Sequence, residues 1–206
     1  TKALQGFSEL TRFEFSDPDL IQIRPAPFGG ALSLKTLIIR DTPLNKLDES
    51  YFVELGNLES LELPRNNISL LGENAFRPLV SLTSLSLADN AISLIDKDTF
   101  KSLINLKNLN LDNNQIKLIR PDTFSNFFLN LLSVKSNEVG RVSQTAFSNF
   151  CSVKIFFEGN PIDDFLAYTF NGTCRHVRVD LNLVDEYYTV PELYDLYNNQ
   201  PNLIAY

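Results

Sequence analysis

The chain has 206 residues, a formal charge of −7, 44% hydrophobic residues, one histidine and two cysteines. That balance argues against a general nucleic-acid or anionic-membrane surface, since both partners are polyanions, and leaves little material for a metal site. No apolar run is long enough to span a bilayer and no leader segment is visible; the length suits one large domain, or one domain with part of another.

Read from the amino terminus, the chain repeats itself. Residues 58–81 (LESLELPRNNISLLGENAFRPLVS), 82–105 (LTSLSLADNAISLIDKDTFKSLIN) and 106–128 (LKNLNLDNNQIKLIRPDTFSNFF) set the register. In it, repeats begin at residues 10, 34, 58, 82, 106, 129, 152 and 176, spaced by 24 or 23. Counting back places Leu4 and Phe7 at positions 19 and 22 of a preceding repeat, so the sequence opens part-way through a rung. Position 19 is phenylalanine throughout: Phe28, Phe52, Phe76, Phe100, Phe124, Phe147 and Phe170. A unit this short cannot bury its apolar side alone and must stack on its neighbours.

Apolar residues at positions 4 and 6 of each repeat predict a short strand, and stacked strands predict one parallel sheet. Asn66, Asn90, Asn114, Asn137 and Asn160 hold position 9, where the chain turns away from the strand; an amide there can bond the backbone of that turn and of the next rung. Pro18 and Thr42 replace it in the first two rungs. Position 14 is apolar from Ile23 to Phe165, and with the phenylalanines it predicts a convex side of irregular or short helical segments. The last predicted strand lies in HVRVDLNLV, residues 176–184. The tail, 185–206, holds five of the seven tyrosines, and Pro191 is placed to open a short helix through Leu196. One role for it is to cover the edge of the last rung; a tyrosine-rich partner surface is the alternative.

The pattern LxxLxLxxNxIxxLxxxxFxxL over residues 4–184 resembles the leucine-rich repeat, and its phenylalanine at position 19 is similar to that of animal extracellular members: receptor ectodomains, adhesion proteins and secreted immune factors. The resemblance implies an α/β repeat solenoid, a curved horseshoe with about eight parallel strands on its concave face, in which residues 1–184 form the array and 185–206 a capping tail. It also implies a non-catalytic module, secreted or on the cell surface, that needs no cofactor. Such a module binds a protein partner through its concave face and carboxy-terminal region, in immunity or adhesion. A cytoplasmic location is the alternative. Competing functions are an enzyme inhibitor acting by steric blocking and a self-assembling structural protein whose partner is a second copy. Extracellular members usually carry cysteine-rich caps. Here Asn160-Pro161 begins a sequence like the cap motif NPWxCxC, but Asp164 and Leu166 stand where its cysteines would. That leaves a piece of a longer ectodomain, or a protein capped by other means.

Cys151 and Cys174 both fall at position 23 of adjacent rungs. Stacked rungs lie about 4.8 Å apart, inside the Cα separation of a disulfide, so a rung-to-rung bond is expected, with two buried free thiols as the alternative. Asn67-Ile68-Ser69 and Asn171-Gly172-Thr173 are N-glycosylation sequons, at a frequency chance supplies. Catalytic material is sparse. Asp163 and Asp164 read as a solvated turn, His176 as the start of a strand, and Gly29-Gly30 lacks the surroundings of a phosphate loop. The better candidate is the concave face, whose positions 3, 5 and 7 are free of packing demands. Leu131, Lys135, Lys154, Phe156, Glu158 and Arg178 gather there as apolar side chains ringed by charge, the composition of an interface. The alternative is that the tail folds over Phe156 and buries it.

Overall fold

The computed structural model describes residues 4–20, 26–162, 164–165, 178–180 and 187–189. Ile23, Asp163, Phe170, Asn171, Cys174, His176 and the segment 191–196 expected to be helical lie outside the described residues.

The strands in chain order are β1 (Arg12–Ser16), β2 (Thr36–Arg40), β3 (Lys46–Leu47), β4 (Ser60–Glu62), β5 (Leu70–Leu71), β6 (Ser84–Ser86), β7 (Asn108–Asn110), β8 (Leu118–Ile119), β9 (Phe128–Ser133), β10 (Arg141–Val142), β11 (Cys151–Phe156), β12 (Asp164–Phe165), β13 (Arg178–Asp180) and β14 (Tyr187–Thr189). One sheet carries the order β1-β2-β4-β6-β7-β9-β11-β13-β14. Its first eight strands are parallel, one per rung, as the repeat count requires, and β14 closes the edge antiparallel to β13. Equivalent positions sit side by side, as in Ser60↔Ser84↔Asn108↔Leu131, so every repeat position becomes a column along the solenoid. The pairs β3-β5 and β8-β10-β12 form a second row at positions 13 and 14.

The columns explain the core. Position 4 buries Leu37, Leu61, Leu85, Leu109, Leu132 and Ile155, and position 14 buries Leu47, Leu71, Ile95, Ile119 and Val142. The position-19 phenylalanines from Phe28 to Phe147 are buried too, and several stack: centroids are 6.2 Å apart for Phe52 and Phe76, 5.7 Å for Phe76 and Phe100, and 5.4 Å for Phe124 and Phe147. Offset stacking adds to what burial of the rings already contributes.

Position 9 ties the rungs together. The Asn90 amide donates to the Leu63 carbonyl of the preceding rung at 2.8 Å, and its oxygen accepts from Ile68 N–H at 3.0 Å. Thr42 takes the same place with shorter reach. Its hydroxyl donates to Arg40 C=O and accepts from Asp17 N–H, both at 3.0 Å, while its own N–H donates to Asn66 Oδ1 at 2.9 Å. Just before this column, at position 8, Asp41, Arg65, Asp89, Asn113, Ser136 and Gly159 have φ between 51° and 71°. The left-handed residue turns the chain out of the strand, a conformation that Asp, Asn and Gly tolerate best.

No helix occurs among the described residues, so the convex side is turns and short strand pairs rather than helical segments. Its backbone bonds span three residues, as in Tyr51 N–H to Asp48 C=O, Leu55 N–H to Phe52 C=O and Leu58 N–H to Leu55 C=O. In two of the rungs the turn is interrupted before it can propagate, by Glu54 in the left-handed region and by Pro78, which has no N–H to donate. The 23-residue repeats lose their residue in this return. There Asn126 and Asn149 have φ of 63° and 52°, and strands β9 and β11 start earlier and run to six residues. No helix among the described residues is long and apolar enough to cross a membrane.

Candidate binding surface on the concave sheet

Along the concave sheet, side chains at positions 3, 5 and 7 point away from the core, and their character changes from one end to the other. In β1 and β2 the carboxylate of Glu14 pairs with both Arg12 and Arg40, and Ile38 between them is buried. One column over, Arg65 grips Asp41 through Nε and Nη2 at 2.7 and 3.0 Å, which lowers the Asp41 pKa and raises that of Arg65. The middle of the sheet is small and polar, with Ser84, Ser86, Asn108 and Asn110.

The carboxy-terminal third differs. Parallel pairing of β9, β11 and β13 sets Lys154 between Leu131 and Arg178, and Phe156 between Ser133 and Asp180. Lys135, just past β9, lies over the Phe156 ring with its ammonium 4.3 Å from the centroid. The same ammonium meets Glu158 Oε2 at 2.5 Å. This hydrogen bond is the main reason the Glu158 carboxyl is held below its ordinary range and the Lys135 ammonium above its own. Asp112 fixes the base of the group, accepting from Ser133 Oγ at 2.5 Å and Lys135 N–H at 2.8 Å.

The six candidate residues therefore share three adjacent strands and the turns that follow them. Leu131, Lys135, Phe156 and Glu158 are half-buried, while Lys154 and Arg178 are exposed. Asp112, Ser133 and Asp180 complete the cluster and were not among the candidates. Repeat position alone marks them as outward-facing, but Ser133 and Asp180 are buried because their larger neighbours crowd over them. The signal available in the sequence was the run of acids at positions 5 and 7 beside a single lysine.

The other candidates lie apart. Asn67 is exposed in the left-handed region, and its Nδ2 donates to Asn45 Oδ1 at 2.8 Å. Gly30 donates its N–H to the Glu54 carboxylate at 2.9 Å, so that turn is satisfied by an internal anion. Cys151 opens β11, and no free cysteine occurs among the described residues; its expected partner Cys174 and the sequon residue Asn171 lie outside them. Lys154 and Arg178 have no ion-pair partner among the described residues.

The sequence pattern described as leucine rich repeat matches residues 33–92 and 81–139, more than half of the chain. No curated protein matches the chain. Among solved structures, the Toll–Spatzle complex of Drosophila, described as a molecular hub in development and innate immunity, is similar over 84% of this chain and 25% of that one, with a TM-score of 0.67 and 22% identity. A TLR13–ssRNA complex is similar over 82% of this chain and 28% of that one, with a TM-score of 0.61 and 25% identity. The chain thus spans about a quarter of the length of these structures.

Proposed function

The chain belongs to the leucine-rich repeat family, and from that premise we propose that it is a non-catalytic recognition module that binds a protein at the carboxy-terminal third of its concave sheet. One observation carries this reading: Lys135 is neutralised by Glu158 while it braces the Phe156 ring, and Lys154 and Arg178, without an ion-pair partner among the described residues, lie side by side next to it on the sheet. An aromatic face held rigid among such cations fits an apolar protrusion bordered by carboxylates, and a braced ring loses little entropy on binding. The similarity to Toll, solved in complex with Spatzle, supports a protein ligand. TLR13, solved with single-stranded RNA, makes RNA the ligand to test against; here the net charge of −7 opposes it.

Exposure outside the cell, in immunity or adhesion, goes with this reading. It is supported by the phenylalanine at position 19 of every complete repeat, which is similar to that of animal extracellular members. The test is capture of a ligand from native extracellular fluid, comparing the chain with its Phe156→Glu variant and with Ser84→Lys in the small polar middle. Loss with Phe156→Glu alone is expected. Equal capture by Phe156→Glu, or release of a bound RNA by ribonuclease, removes the proposal.

A further inference from the structure

A row of apolar side chains runs along the flank where each rung enters its strand. Position 23 holds Leu32, Gly56, Val80, Ile104 and Phe128 in five successive rungs. Leu32, Val80, Ile104 and Phe128 are 54%, 50%, 79% and 63% exposed, whereas their neighbours at position 22, Ala31, Leu79, Leu103 and the half-buried Phe127, pack on or within the core. The core therefore does not require apolar residues at position 23. At about 4.8 Å per rung the row is about 19 Å long, broken only by the side-chain gap at Gly56, and an exposed apolar row of this kind marks a contact surface. Its polar neighbours are already tied down: Asn57 Nδ2 donates to Leu32 C=O at 3.0 Å and Asn105 Nδ2 to Val80 C=O at 2.9 Å. Covering groups with bonds already made costs less than covering free ones.

We propose that this flank joins two copies of the chain in a two-fold dimer centred on Val80. With the axis in the interface and across the row, the two rows run antiparallel, and each rung on one side of Val80 faces the equivalent rung on the other side in the second copy. Val80 then meets Val80, and Leu32 meets Phe128. Ile104, the most exposed of the row, falls on Gly56 of the other copy, where the surface has a notch: a Cβ built there comes no closer than 3.8 Å to anything, the Pro78 carbonyl being nearest.

The same operation sets position 2 beside position 2, so Lys107 of each copy faces Glu59 of the other. Glu59 is half-exposed and bonded to Lys35 at 2.7 Å, which leaves carboxylate surface for a second cation, and Lys107 is exposed with no ion-pair partner among the described residues. Bump against notch and cation against anion are both self-complementary about one centre, the property an isologous interface requires and a foreign ligand does not. An uncharged row is also where two copies of a −7 chain approach with least repulsion. Because position 2 leads into the strand, both concave sheets open on the same side, and the dimer offers one ligand two equal surfaces.

So narrow a contact belongs at the small end of specific interfaces, with a dissociation constant on the order of 10 µM. Sedimentation equilibrium of the 206-residue chain from about 1 to about 300 µM tests it. The expected result is a monomer–dimer equilibrium that Ile104→Glu and Gly56→Leu each weaken about tenfold or more, with thermal melts unchanged because both side chains point to solvent. Lys107→Glu weakens it as well, and adding Glu59→Lys restores it to within about threefold, since the exchanged charges again face each other. A chain that stays monomeric throughout, an Ile104→Glu variant that dimerises like the parent, or a double exchange that fails to restore association overturns the proposal.

Discussion

Asn114 reaches back one rung to Leu87, its Nδ2 donating to that carbonyl at 2.9 Å while its Oδ1 accepts from Ile92 N–H at 3.0 Å. The same Nδ2 lies within bonding distance of the Leu111 and Asp112 carbonyls, at 3.0 and 3.1 Å. One buried amide thus satisfies backbone groups that water cannot reach, on both sides of a rung boundary. Asn114→Ala leaves them unpaired and is expected to cost about 2–4 kcal/mol. Asn114→Asp keeps the shape but turns a donor toward carbonyls into an acceptor, and is expected to cost at least as much. Urea unfolding monitored by circular dichroism measures both; a loss under about 0.5 kcal/mol in the alanine variant would mean the ladder carries no stability.

Phe76 is sandwiched between Phe52 and Phe100, with centroids at 6.2 and 5.7 Å, and is fully buried. No side chain from another rung can fill the space if it is removed. Phe76→Ala is therefore expected to cost about 3–5 kcal/mol, and Phe76→Leu about half of that. Rungs touch only their neighbours, so the damage stays local: amide exchange should accelerate most in residues 34–105 and least around β11.

The fold was legible because its rule is periodic. Register alone placed the eight parallel strands, the asparagine ladder and the phenylalanine stack, since each equivalent residue solves the same burial problem. On the convex side the sequence left irregular and short helical segments open, and the irregular alternative is the one found among the described residues. Short helical turns are compatible with its composition, but Glu54 and Pro78 break the hydrogen-bond sequence before a helix can extend. At the concave site, period two put Phe156 and Lys135 on one face, yet the roles of Asp112 and Asp180 depend on which side chains crowd over which, and adjacent columns carry no such information. The apolar row at position 23 is visible in the sequence, but only exposure separates it from the buried column beside it.

Cys151 opens β11, and Cys174 holds the same repeat position one rung later in the sequence. A bond between them closes a short loop and, in the chain-entropy account, stabilises the last rungs by about 3–4 kcal/mol. Alkylation of native material without reductant should leave the mass unchanged, and reduction should add two labels. Reduction should also lower the melting temperature, and the Cys151→Ser/Cys174→Ser double variant should reproduce that loss. Two labels on unreduced native protein would show free thiols instead.

The Lys135–Glu158 pair sets a pH window on the concave site. The hydrogen bond from Lys135 holds the Glu158 carboxyl below its ordinary 4.5, and the reciprocal bond raises the Lys135 ammonium above its ordinary 10.5. A depressed acid adds stability that is complete above its unfolded pKa and disappears as pH falls through the folded one. A raised base adds stability that is complete below its unfolded pKa and disappears as pH climbs through the folded one. The pair is therefore intact between 4.5 and 10.5 and weakens outside that range. Both side chains are about one-third exposed, at 32% and 31%, so solvent limits the contribution to about 1 kcal/mol. Comparing the chain with Glu158→Gln by chemical unfolding should give a difference that is flat from about pH 6 to 9 and shrinks below about pH 4. Phe156 is braced by the same ammonium, so ligand capture should fall over the same acidic range in the parent and change less in Glu158→Gln. A difference between the two proteins that does not vary with pH would mean the contact adds nothing, and that Phe156 is held by its strand alone.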